Sequence, residues 1–178
     1  MGKLVYIDET DIKNKKILLR CDFDVSLHPD HTISDDARIR QNLPTIEYLL
    51  KNKNKLICIG KLDRPKGRDP KYSMKIVVKR LHQYLPQHKI RLIDDFLTTN
   101  PKVFKNQKEG EVFVLENMRY YKENKENDTE FTKKLASLAD IYVNDGFAVS
   151  HRVEAWVVGV PRYLPSYGGL LLKKEIQM

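Results

Sequence analysis

Short apolar runs alternate along the chain with segments whose apolar residues recur every three or four positions. A run such as 55–62 (KLICIGKL) is typical of a strand that is buried on both faces. A segment such as 39–50 places its Ile and Leu residues on one face of a helix. The alternation predicts one α/β domain over residues 1–178, in three layers, with helices on both faces of a mostly parallel sheet. The predicted strands are 16–25, 55–62, 88–96, 111–116 and 141–145; the predicted helices are 39–50, 73–85, 101–106, 128–138 and 170–176, with a helix or turn at 155–159. We expect Asp35 and Asp36 to cap the first of these helices and Asp128 to cap the fourth.

Polar residues that include a cation follow four of these strands. In an open parallel sheet, ligands bind beyond the carboxyl ends of the strands, so the fold would gather these side chains on one rim. A dense group of cations favours an anionic ligand. An alternative for single residues is structural: aspartates that cap the next helix, or arginines in weak surface ion pairs. The four segments are Arg20 to Asp24, Lys61 to Pro65, Glu116 to Arg119, and Asn144-Asp145 continuing to His151-Arg152. In the structural alternative, the helix caps would be Asp22, Asp94 and Asp145. The surface ion pairs would be those of Arg20 and Arg64.

The net charge of +8 raises the question of a nucleic-acid partner. Much of the lysine excess lies in Asn-interleaved stretches at 51–55 and 122–127, which we interpret as solvated turns. No zinc-finger spacing or aromatic RNA-binding motif accompanies them. No signal peptide and no run long enough to span a bilayer is present, so we expect a cytoplasmic protein with no nucleic-acid or membrane partner. Cys21 and Cys58 lie in predicted buried strands and are expected to be reduced thiols.

Motifs that would bind a nucleotide or a metal are missing from the sequence. There is no Gly-rich turn to bring backbone N–H groups onto a nucleotide's phosphates, so we expect no cofactor site within these residues. His28 and His31 flank a short loop segment but cannot supply a full set of metal ligands. We therefore expect no metal site either.

Five motifs, in order along nearly the whole chain, resemble the N-terminal domain of the phosphoglycerate kinase family. They are similar to that family's R-x-D-F-N-V, D-D-x-R-I-R…L-P-T-I, L-G-R-P-K-G, L-E-N-L-R-F/Y and N-D-A-F…H-R. The matching segments of this chain are Arg20 to Val25, Asp35 to Ile46, Leu62 to Gly67, Leu115 to Tyr120, and Asn144 to Phe147 with His151-Arg152.

The resemblance implies a Rossmann-like domain that binds 3-phosphoglycerate or 1,3-bisphosphoglycerate. The reaction implied is ATP + 3-phosphoglycerate = ADP + 1,3-bisphosphoglycerate, a glycolytic phosphoryl transfer, for which a protein supplies mainly positioning and charge stabilisation. Arg38 is implied as the catalytic arginine on the transferring phosphoryl group. Arg64, Arg119 and Arg152 are implied to hold the other phosphate, helped by His151. The complete substrate-binding set is Asp22, Asp24, Arg38, Lys61, Arg64, Arg119, His151 and Arg152, with the two aspartates placing the substrate hydroxyl.

Several residues depart from the family's motifs. Asp24 replaces an asparagine and puts negative charge beside an anionic ligand, which predicts weaker affinity. Lys61 replaces a histidine and keeps positive charge. Asp63 replaces a glycine, and if its φ is positive the loop is expected to shift. Glu154 replaces a histidine, and Trp156 enters where small residues are usual.

The family's second domain, which binds Mg-ADP or Mg-ATP, has no counterpart in these residues. We therefore expect that the chain alone is not an active kinase and that a separate nucleotide-binding domain would have to act with it. Two hypotheses stay open: the substrate-binding half of a phosphoglycerate kinase, or a truncated, catalytically inactive relative that binds a phosphorylated acid or a protein.

Overall fold

The computed structural model describes residues 2–147 and 152–178 as an α/β domain built on a six-stranded parallel sheet. The strand order is β5-β6-β4-β1-β7-β8, and every neighbouring pair is parallel. A separate two-stranded antiparallel hairpin, β2-β3, follows the first strand. The strands are β1 (Lys16–Arg20), β2 (Ser26–Leu27), β3 (Ile33–Asp35), β4 (Lys55–Ile59), β5 (Ile90–Ile93), β6 (Val112–Leu115), β7 (Ile141–Asn144) and β8 (Ser166–Gly168).

The helices cover both faces of this sheet, as the sequence predicted. Alternate strand residues point to opposite faces, so Leu19 and Cys58 join one apolar cluster while Leu18 and Ile57 join the other. The first cluster packs under α1, α2 and α6, and the second under α3, α5 and the turn at Ala155–Gly159. The helices are α1 (Ala37–Lys51), α2 (Lys75–Tyr84), α3 (Pro101–Lys105), α4 (Lys122–Lys125), α5 (Thr129–Ala136) and α6 (Leu170–Gln177). Within the described residues, no helix is long and apolar enough to cross a membrane.

The order of the strands places the predicted rim. The chain begins at β1 near the centre, adds β4 beside it, builds β5 and β6 outward, and then crosses to β7 on the other side of β1. The carboxyl ends of β6, β4, β1 and β7 are therefore successive neighbours. Loops that leave these four ends can bring distant segments together at one edge of the sheet.

The boundaries and some small elements differ from the sequence prediction. The strands end earlier, because the polar residues after Arg20 and Ile59 belong to loops. The lysine-rich stretches are not simply solvated: Asn54 is fully buried and hydrogen-bonds the backbone of Lys15, Ile12 and Leu49. Asn124 is also buried, in α4, and its side-chain oxygen accepts the backbone N–H of Trp156. The solvated-turn interpretation was therefore wrong for these two asparagines.

The predicted helix caps at Asp128 and Asp35 are confirmed, and the one at Asp36 was wrong. Asp128 accepts the Phe131 N–H at 2.8 Å and begins α5. Asp35 accepts the Ala37 N–H at 2.8 Å at the start of α1, whereas the Asp36 carboxylate binds Arg40, Arg80 and the Tyr84 hydroxyl instead. Cys21 and Cys58 are both buried free thiols.

Candidate functional site

Asp22 and Arg38 form an ion pair where the loop after β1 meets the first turn of α1. Arg38 Nη1 lies 3.2 Å from Asp22 Oδ1, and 47% of the Arg38 side chain is exposed. The buried Asn42 fixes this corner, because its amide donates to the carbonyl oxygens of Asp22 and Arg38 at 3.0 and 2.7 Å. Sequence reasoning did not single out Asn42, whose buried position on α1 became visible only in the fold.

Asp24 joins two strand ends of the site. Its Oδ2 lies 2.5 Å from the Lys61 ammonium, and its Oδ1 accepts the Asp63 N–H at 2.8 Å. Asp63 adopts a left-handed backbone conformation with φ of 53°, and its own carboxylate accepts the Arg64 N–H at 2.8 Å. The positive φ is the condition under which the sequence predicted a shift of this loop, and that shift stays a prediction. Aspartate tolerates the left-handed conformation better than most residues do. The Asp24 N–H reaches Asp22 Oδ1 at 3.4 Å, which connects this group to the Arg38 corner.

Arg64, Arg119 and Arg152 line one open cleft of about 410 Å³. Lys122 and Lys125 also line it, and Glu154 is the acidic residue among the described lining side chains. Among the described residues, the guanidinium groups of Arg64 and Arg119 have no hydrogen-bond or ion-pair partner, and the Arg119 Nε is buried. Arg152 Nη1 lies 3.8 Å from Glu154 Oε1. Guanidinium groups without partners, at the wall of a cleft, are available to an anion.

Two buried residues before Arg119 hold the loops that carry the cations. Glu116 accepts the Ser73 hydroxyl and the Met74 N–H, each at 2.7 Å, at the start of α2. The fully buried Asn117 donates to the Leu62 carbonyl at 2.7 Å and accepts the Arg119 N–H at 3.1 Å. The loop before Arg64 and the turn with Arg119 therefore share one anchor. Sequence reasoning quoted both residues in a motif but gave neither a role.

Arg20 was placed among the rim cations by sequence reasoning, and that placement was wrong. Its side chain is buried, donates to Asn144 Oδ1 at 2.8 Å and to the Gly146 carbonyl at 2.6 Å, and lies over the Trp156 ring at 4.8 Å. Arg20 therefore supports the loop after β7 from inside the protein.

Asp145 is a helix cap, the alternative that sequence reasoning left open for it. Its Oδ1 accepts the Leu171 N–H at 2.9 Å at the start of α6, and the Thr45 hydroxyl accepts the Leu170 N–H at 3.0 Å. Burial raises the pKa of Asp145 to about 7, although the hydrogen bonds it receives act in the opposite direction. Asp94 is exposed and pairs with Arg68 instead of lining the cleft.

The predicted site residues thus form three neighbouring groups on one rim of the sheet. They are the Arg38–Asp22 corner, the Asp24–Lys61 pair and the cleft of Arg64, Arg119 and Arg152. Backbone hydrogen bonds to aspartates connect the first group to the second and the second to Arg64. His151 lies outside the described residues. Over residues 2–147 and 152–178, no group of three metal-binding side chains occurs.

This fold and this cleft define the chain as an α/β domain with a cation-rich rim beyond the carboxyl ends of its parallel strands. The family model for phosphoglycerate kinase matches residues 7–178. The chain belongs to the phosphoglycerate kinase family.

Individual relatives agree with this assignment. The chain is 45% identical to phosphoglycerate kinase from Dictyoglomus turgidum over 100% of its own length and 45% of the relative. It is 44% identical to the cytosolic phosphoglycerate kinase of Triticum aestivum, over 96% of this chain and 43% of that protein. Its fold matches phosphoglycerate kinase from Coxiella burnetii with a TM-score of 0.88 and 30% identity, covering 98% of this chain and 44% of the other. The chain spans less than half the length of these relatives, and it matches their N-terminal part.

Proposed function

We propose that this chain binds 3-phosphoglycerate or 1,3-bisphosphoglycerate and serves as the substrate-binding half of a phosphoglycerate kinase. The observation that carries the proposal is the cleft in which Arg64 and Arg119 have no acidic partner among the described residues. A volume of about 410 Å³ lies within the usual range for small-molecule sites. The family match favours this function over a non-catalytic binding module.

Each group of the rim suits one part of such a substrate. The three arginines of the cleft would hold the phosphate that is not transferred, because guanidinium groups can donate paired charge-assisted hydrogen bonds to it. Arg38 would stabilise the transferring phosphoryl group, since about half of its side chain is exposed despite its pairing with Asp22. Asp22 and Asp24 would position the hydroxyl, and His151 would assist the phosphate.

Phosphoryl transfer would also require Mg-ATP or Mg-ADP, which we assign to a nucleotide-binding domain outside these residues. That domain would act from the same longer polypeptide or from a separate one. We place the protein in the cytosol and in glycolysis because its relatives include a cytosolic phosphoglycerate kinase.

Calorimetric titration of the purified chain with 3-phosphoglycerate tests the substrate. We expect saturable one-to-one binding, and Arg64→Gln or Arg119→Gln should weaken it about 10- to 100-fold, because each removes charge-assisted hydrogen bonds. Arg91→Gln, an exposed arginine on β5 outside the cleft, is the control with the same change in charge. Glycerate, which lacks the phosphate, should not compete.

Absence of saturable binding at millimolar 3-phosphoglycerate would contradict the proposed substrate. A coupled assay with an added nucleotide-binding domain of a phosphoglycerate kinase tests the kinase half. Turnover that depends on both polypeptides and on Arg38 would support it, and binding without turnover would favour a non-catalytic module.

A further inference from the structure

Asp24, in the loop after β1, contacts both Lys61 and Asp63 in the loop after β4, and all three residues depart from the family's motifs. Asp24 and Lys61 are 37 residues apart in sequence, yet the Asp24 carboxylate lies 2.5 Å from the Lys61 ammonium. The same carboxylate accepts the N–H of Asp63 through its other oxygen at 2.8 Å. The family's motifs have asparagine, histidine and glycine at these positions. Replacements that meet in one network suggest mutual compensation instead of independent loss.

The charges in this network cancel within the pair. The Lys61 side chain is only 12% exposed and the Asp24 side chain 23% exposed, so each charge is partly shielded from water and depends on the other. The Asp24–Lys61 pair is therefore neutral towards an anionic ligand, and the negative charge of Asp24 does not act alone. Removing one partner would leave the other partly buried and unpaired, which costs more than exchanging both.

The network also sets the backbone just before Arg64. Asp24 fixes the Asp63 N–H, Asp63 holds a φ of 53°, and its carboxylate accepts the Arg64 N–H at 2.8 Å. The Arg64 side chain then lines the cleft. Both oxygens of Asp24 are therefore engaged in holding Lys61 and the loop that presents Arg64.

We infer that Asp24 and Lys61 act as one neutral unit that positions the Arg64 loop, so that substrate affinity depends on the pair and not on either residue alone. Asp24 then positions Arg64 through Asp63, in addition to the hydroxyl contact proposed above, for which each carboxylate oxygen keeps a second lone pair. This inference rests on the proposed function, since the ligand is 3-phosphoglycerate. It replaces the sequence-based expectation that Asp24 weakens binding by its own charge.

A double-mutant cycle with Asp24→Asn and Lys61→Gln tests the inference by calorimetric titration with 3-phosphoglycerate. Lys61→Gln alone leaves the Asp24 carboxylate uncompensated and should weaken binding about tenfold or more. Asp24→Asn alone makes the net charge of the chain more positive. However, only the amide oxygen can accept a hydrogen bond, so the NH₂ group must face a second donor, either the Lys61 ammonium or the Asp63 N–H. Binding should therefore not become tighter.

The double variant should recover most of the affinity lost by Lys61→Gln. The asparagine oxygen can accept the Asp63 N–H while its NH₂ group donates to the glutamine oxygen at position 61, so every partner is satisfied without charge. Asp24→Asn should therefore change the affinity for 3-phosphoglycerate differently in the parent chain and in the Lys61→Gln variant. Lys66→Gln, at an exposed lysine of the same loop outside this network, is the matched control and should change affinity less than twofold.

Equal effects of Asp24→Asn in both backgrounds, or equal losses from Lys61→Gln and Lys66→Gln, would overturn the inference while leaving the proposed function intact. A parent chain that does not bind 3-phosphoglycerate would contradict the proposed function itself. Thermal unfolding of all variants monitors the fold, and a lower affinity counts only for variants that are folded at the titration temperature.

Discussion

Glu154 is the acidic side chain among the described residues that line the cleft. Its Oε2 accepts the Trp156 indole N–H at 2.6 Å, and its Oε1 lies 3.8 Å from Arg152 Nη1. Glu154 therefore brings a negative charge to a wall that otherwise carries arginines and lysines among its described residues. The Trp156 side chain is buried and lies against the Arg20 guanidinium. Glu154 and Trp156 both depart from the family's motifs, and the indole hydrogen bond joins them.

We expect Glu154→Gln to tighten the binding of 3-phosphoglycerate by a few-fold. The glutamine oxygen can still accept the Trp156 N–H, while one negative charge near the phosphate is lost; for partly exposed charges this is worth up to about 1 kcal/mol. Calorimetric titration at low and high salt measures the change, which should shrink as salt screens it. Glu130→Gln, at an 85% exposed side chain on α5, is the control. Weaker binding by Glu154→Gln would show that this carboxylate mainly positions Arg152.

At the scale of elements, Asp145 joins the end of β7 to the start of α6. Its carboxylate caps the helix, and Gly169 must lack a side chain because a Cβ there would collide with that carboxylate. Within the described residues, Oδ2 of Asp145 is buried without a hydrogen-bond partner. The charge of this carboxylate is therefore poorly solvated, which is why burial raises its pKa to about 7.

The raised pKa of Asp145 predicts a specific dependence of stability on pH. The folded protein holds this proton up to about pH 7, whereas the unfolded chain releases it near the ordinary pKa of an aspartate, about 3.9. The contribution of Asp145 to the free energy of unfolding therefore falls as pH rises between these values, by roughly 2–4 kcal/mol. Asp145→Asn cannot lose a proton, so its stability relative to the parent should increase from pH 5 to pH 8.

Urea unfolding of both proteins at several pH values measures this difference. Asp140→Asn, at an exposed carboxylate just before β7, is a control for a change of charge without burial. Parallel stability curves for the parent and Asp145→Asn would show that the carboxyl group ionises normally in the folded protein.

Elements with strong local patterns could be predicted from the sequence, and elements defined by tertiary contacts could not. The apolar stripe of α1 and the Asp128 cap of α5 are local signals, and both are confirmed. The strand β8 has no apolar run, and it forms because Ser166–Gly168 pairs with β7 and bridges Tyr6. The short helix α4 is polar along its whole length, and its buried residue, Asn124, has its partner 32 residues away.

The same distinction applies to the candidate site. Spacing at strand ends predicted that Arg64, Arg119 and Arg152 would meet, and they line one cleft. The contacts of Asp24 with Lys61 and Asp63 join segments 37 to 39 residues apart, and only the fold shows that their charges are compensated. The inward direction of Arg20 likewise depends on Trp156, which lies in the segment after β7, more than 130 positions later in the chain.

At the scale of the whole molecule, the cation-rich rim is built from loops that are held by buried polar contacts. Asn42, Asn117 and Glu116 fix the loops of the rim from below, so the cations converge without the aid of a ligand. Such preorganisation costs stability, because like charges are brought together around the cleft. An anionic ligand that neutralises them should therefore stabilise the folded protein.

We expect 3-phosphoglycerate to raise the temperature at which the chain unfolds. A ligand present at 100 times its dissociation constant stabilises the folded state by about 2.7 kcal/mol, which corresponds to roughly 5–10 °C for a domain of this size. Differential scanning fluorimetry over a series of ligand concentrations measures the shift. Arg64→Gln should need at least about ten times more ligand for the same shift, since it lowers affinity without removing the fold. Glycerate should give almost no shift, because it lacks the phosphate. An equal shift with sulfate at the same ionic strength would mean that the rim recognises a tetrahedral anion alone and does not distinguish the phosphorylated acid.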